Sequence, residues 1–73
     1  MIKVTLLNNK NIYLNAEMIE LVEETPDTII TLTTDKKIIV REAVDEIVSR
    51  VISYKRRIYI RKLLSSNWED YSN

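Results

Sequence analysis

The chain has 73 residues, eleven basic and eleven acidic side chains, and no histidine, cysteine or glycine. That length supports one small domain, whose core alone gives only marginal stability. The composition removes disulfide and thiolate staples, the usual metal ligand and general base, and the glycine-dependent phosphate loops; net neutrality argues against a dedicated nucleic-acid domain, whose affinity rests on neutralising phosphates.

Residues 2–7, IKVTLL, read as a strand with Ile2, Val4 and Leu6 on one face by period two. Leu7 breaks the alternation and is read as marking a bulge or a second buried face. Asn8-Asn9-Lys10 is a turn, because asparagine tolerates positive φ, and residues 11–15, NIYLN, return as the second strand of a hairpin. Residues 16–24 are ambiguous. Met18, Ile19 and Val22 fit a short helix capped by Asn15, but nine residues make a marginal helix, so a turn at 15–18 and a strand at 19–24 are predicted. Thr25-Pro26-Asp27-Thr28 is a turn, with Pro26 pre-setting φ for the second position of a type I turn.

Residues 28–34, TIITLTT, are rich in β-branched side chains and form the clearest strand, with Ile30 and Leu32 toward the core. Asp35-Lys36 is a tight turn, and residues 37–41, KIIVR, form the last strand. A helix is predicted from about 43 to 64. Val44, Ile47, Val51, Tyr54 and Ile58 make one helical seam, and Val48, Ile52, Tyr59 and Leu63 make a second row beside it. Glu42, Asp45 and Glu46 stand at its start, and Arg50, Lys55, Arg56, Arg57, Arg61 and Lys62 follow, an order that complements the helix dipole and pairs Glu46 with Arg50.

The expected fold is α+β: a small antiparallel β-meander of four to five strands followed by one long C-terminal α-helix. Residues 1–64 are read as one domain and 65–73, with Trp68 and Tyr71, as a flexible tail. A helix of this length is about 33 Å long and a short strand about 17–20 Å, so the helix should overhang its sheet from about Tyr54 onward. The overhang still carries apolar residues. It is therefore the expected site of protein interaction, with Tyr54, Ile58, Tyr59 and Leu63 flanked by Lys55, Arg56 and Arg57, and a homo-oligomer is expected to assemble there.

Catalytic chemistry is not expected. The serines of the helix have no base beside them, and Glu17, Glu20, Glu23, Glu24 and Asp27 read as a solvated strand edge that discourages aggregation. No catalytic, cofactor or metal residue is assigned, and no small-molecule substrate is expected. No apolar run approaches the roughly 18 residues that span a bilayer, and the start of the chain lacks the pattern of a signal peptide.

The order IKVTLLNNKNIYLN, then IELVEETPDTIITLTTDKKIIVREAVDEIVSRV, resembles the FlbD/SwrD family of small flagellar proteins over about residues 1–58, most specifically in EETPDTIITLTTDKK. Asn9 and Asp35 stand where the family usually has the glycine of a turn, Ala43 where serine is common, and Leu6 where a basic residue is usual. The resemblance implies a cytoplasmic accessory protein of bacterial flagellar motility, similar to factors that raise motor power, with motor or stator components as partners. The competing expectation is a small nucleic-acid-binding regulator that uses Tyr13 or the basic helix half. A third reading places that basic half on a membrane surface.

Overall fold

The computed structural model describes residues 1–66. In chain order it contains β1 (Ile2–Thr5), β2 (Asn11–Leu14), one turn of 3-10 helix (Ala16–Met18), β3 (Ile19–Glu24), β4 (Thr28–Leu32), β5 (Lys37–Val40) and α1 (Val44–Ser66). The predicted α+β class and the five strands are present, but the strands form two antiparallel sheets, β1-β2 and β3-β4-β5. Expected boundaries shift by a few residues. The helix begins at Val44 and continues to Ser66, past the predicted end at 64. Of the expected tail, residues 67–73, with Trp68 and Tyr71, lie outside the described residues.

Two hairpins are built on one turn design. The Asn9 amide donates to the Leu6 carbonyl (2.9 Å) and the Leu6 amide to the Lys10 carbonyl (2.8 Å); Asp35 to Leu32 and Leu32 to Lys36 repeat this at 2.8 Å each. Asn9 and Asp35 hold φ of 69° and 70°. This is the three-residue hairpin loop in which a type I turn is followed by one left-handed residue. Asparagine and aspartate reach that region more readily than other residues with a Cβ. The loop needs Leu7 and Thr33, which is why β1 and β4 end before residues 7 and 34, where the sequence pattern placed their ends.

Between β2 and β3 the chain turns through the 3-10 segment, where the Asn15 side chain accepts from the Glu17 amide at 3.0 Å. That turn, expected at 15–18, carries the chain out of the first sheet, so the meander is interrupted and β3 pairs only with β4. A register shift falls between Ile19 and Leu21, not at Leu7. Between β3 and β4, where a type I turn is expected at Pro26, the chain reverses through a bend in which the Thr25 amide donates to the Asp27 carbonyl at 3.1 Å; the Thr25–Pro26 bond is cis.

The core is the inward half of each alternating strand plus one helical stripe. Ile2, Val4, Leu14, Ala16, Ile30, Val40 and Ile47 are buried, and Leu6, Ile12, Ile19, Val22, Leu32, Ile38, Val51 and Tyr54 pack against them. Ile30 is completely buried, as expected, while Leu32 is half-buried at the core's margin. Burying one such side chain stabilises by about 1.5–3 kcal/mol.

Candidate interaction surface

The helix is oriented by polar contacts at its start. Glu42, just before α1, accepts from the Thr5 amide (2.9 Å) and the Thr5 hydroxyl (3.0 Å). Arg50, two turns into the helix, donates to the same carboxylate (2.8 Å), to Glu46 (2.6 Å) and to the Lys3 carbonyl (2.6 Å). The Glu42 side chain is only 8% exposed. Burial raises its pKa, but hydrogen bonds from the Thr5 amide, its own amide, the Thr5 hydroxyl and Arg50 outweigh that and hold it below its ordinary value. The Arg41 amide donates to the Thr5 carbonyl at 2.8 Å, and Leu6 bridges Val40, so the same corner joins the two sheets.

Ala43 occupies the N-cap position: its carbonyl accepts from the Glu46 and Ile47 amides at 3.0 and 3.1 Å, but its side chain offers no acceptor. Glu24, at the end of β3, accepts from the Val44 amide at 3.0 Å and satisfies one orphan donor from outside the helix. One member of the acidic stretch, read as a solvated edge, therefore supports α1.

With its first turns fixed, α1 lays Val44, Ile47, Val51 and Tyr54 toward the sheets. Beyond Tyr54 every residue from 55 to 64 is exposed. The second row is uncovered along its whole length: Val48 is 43% exposed, Ile52 51%, Tyr59 63% and Leu63 52%. Ile58 continues the sheet-facing stripe past the point where the sheet ends and is 37% exposed. Ile60 and Leu64 lie on the side away from the sheets, also exposed.

The seven residues expected at an interaction site therefore divide. Tyr59 and Leu63 share the exposed row, with Lys55 and Arg56 on either side of it. Ile58 lies at the edge of the sheet-facing stripe, and Arg57 is on the opposite face, about 100° per residue around the helix. Tyr54 is half-buried against the core and is used by the fold. Val48 and Ile52, absent from the expected site, belong to the exposed row; their four-residue spacing already placed them there.

Two open grooves lie elsewhere. One of about 520 Å³ runs between the hairpin turns, lined chiefly by Leu6, Leu7, Ile12, Ile38 and Ile39 with Lys36 and Lys37. Another of about 300 Å³ lies where Lys3 and Tyr13 meet Arg50 and Arg57. Among the described residues, no helix is long and apolar enough to cross a membrane, and no cluster of three acidic side chains is arranged to hold a metal ion.

Residues 1–59 match the family model FlbD, described as flagellar and swarming motility proteins. No curated protein and no solved structure matches the chain. The matched stretch takes in both hairpins, the Glu42 corner and most of the exposed row, and the chain belongs to the FlbD family of flagellar and swarming motility proteins.

Proposed function

We propose that this protein is a non-enzymatic, cytoplasmic accessory factor of flagellar motility that acts by binding protein through the exposed surface of α1. Self-association and contact with motor or stator components both use that surface. The observation that carries the reading is the uncovered row Val48, Ile52, Tyr59 and Leu63, on a helix with no acid after Glu46 and with Lys55 and Arg56 beside it. Apolar side chains in a line, rimmed by charge, mark contact surfaces. Net neutrality supports a protein partner over nucleic acid. Raising motor power is the specific role the family resemblance supports.

The test replaces the chromosomal copy with Tyr59→Asp/Leu63→Asp. The expected strain makes folded protein at wild-type level and loses swarm expansion, and stator or other motor components no longer co-purify with the tagged protein. Wild-type swarming by that strain would remove the reading.

A further inference from the structure

We infer that the second copy meeting this surface is held in a two-fold, antiparallel helix pair, with Val48 against the partner copy's residue 63 and Ile52 against its residue 59. This deepens the proposed function and rests on its reading that α1 self-associates. The first argument is spacing. The exposed row runs four, seven, four, which reads the same from either end. A row with that symmetry matches itself when one helix is turned end over end about a point between Lys55 and Arg56. An isologous interface requires that self-complementarity. Turned in this way, a β-branched or small aliphatic side chain always meets a larger one: Val48 meets leucine and Ile52 meets tyrosine, in two copies each. The contact runs over about 22 Å of helix.

The second argument is charge. Asp45 and Glu46 occupy the first turn of α1, and the five bases Lys55, Arg56, Arg57, Arg61 and Lys62 occupy its second half. A parallel pair would set the basic halves side by side. The antiparallel pair sets each acidic first turn beside the other helix's C-terminal end, about one turn beyond its last bases Arg61 and Lys62, and opposes the two helix dipoles. Arg50 comes level with the other copy's Arg61, both on the side of the helix away from the row; like charges meet at the row itself near the axis, where Lys55 and Arg56 flank it and their stems can lie along the apolar side chains with the heads in water.

The third argument is shape. The row lies roughly 100° around the helix from the stripe that packs on the sheets. A two-fold axis perpendicular to the helix pair therefore leaves both sheets on the same side of it, each above its own N-terminal half. Each sheet then stands beside the other copy's overhang, where Ile58 continues the sheet-facing stripe and stays 37% exposed.

Because the chain has no cysteine, single substitutions report the arrangement directly. Ile52→Cys and Tyr59→Cys proteins would be purified, mixed in equal amounts at tens of micromolar and oxidised. In the antiparallel pair, positions 52 and 59 of different copies face each other. Two copies of position 52 are about 10 Å apart along the axis, beyond the roughly 7 Å that a disulfide spans. The expected result is a mixed disulfide in about tenfold excess over either self-linked product. Predominant self-linking would overturn the arrangement in favour of a parallel pair. Sedimentation equilibrium of the wild type giving the monomer mass of 8.6 kDa would overturn it outright. Co-sedimentation of such a monomer with phosphatidylglycerol vesicles would also overturn it, by showing that a lipid surface covers the row. These readouts concern purified protein, so they stand whether or not the swarming test supports a motility role.

Discussion

Glu42 is the residue through which three parts of the chain meet. Its carboxylate holds Thr5 at the end of β1 and Arg50 in the second turn of α1 while standing at the start of the helix itself. Removing one partner of such a cluster leaves the other polar groups without their acceptor, which costs more than a surface ion pair is worth. The lowered pKa gives this a pH signature. A carboxyl whose pKa is lower in the folded chain contributes stability above its unfolded value and loses it as pH falls through the folded one. The contribution should be complete above the ordinary value of 4.5 and decline in more acid solution. Glu42→Gln is expected to lower the melting temperature at neutral pH and to flatten its fall as the pH drops through and below 4.5. Thermal denaturation by circular dichroism of the two proteins across that range checks both parts; parallel curves would mean that the carboxylate's charge contributes nothing to folding.

At the scale of elements, α1 begins on an alanine. Glu24 supplies one of the missing acceptors from β3, but the N-cap side chain supplies none. Ala43→Ser restores a hydroxyl three residues before Glu46, the capping-box spacing, and should stabilise by about 1 kcal/mol, or about 4–8 °C in a domain of this size. Differential scanning calorimetry would measure it; no gain would mean that Glu24 already satisfies the helix start.

The same helix divides what the sequence discloses from what it does not. Its two rows were legible because helical spacing is local, and so were the hairpins, because Asn9 and Asp35 announce left-handed positions next to them in the chain. The overhang followed from length alone. The splitting of the strands into two sheets was not legible, since it depends on where the 3-10 turn sends the chain. Nor were the Glu24 cap and the Thr5–Glu42 contact, which join residues 20 and 37 positions apart. Tyr54 was placed with the exposed residues because spacing puts it in line with Ile58; only the reach of the sheet decides that one is half-buried and the other is not.

Taken whole, the molecule is elongated, with principal extents of 49 × 21 × 19 Å. The two sheets share the core, but their backbones join along a narrow seam, at the Leu6–Val40 bridge, the hydrogen bonds of Arg41 to Thr5 and Leu7, and the Glu42 corner. That narrow seam imposes an order of assembly. Each hairpin closes between neighbours in sequence, an event of about 1–10 μs, and needs nothing from the other. The seam closes a loop of more than thirty residues, Thr5 to Glu42 being 37 apart, and that loop-closure entropy is recovered only when Ile47 arrives to cover both sheets together. Folding should therefore have its late event at the corner, and breathing should begin there. In native-state hydrogen exchange the Arg41 amide, although bonded, is expected to open at lower free energy than the Ile30 amide at the centre of β4. Equal protection of the two would mean that the sheets part only when the whole chain unfolds.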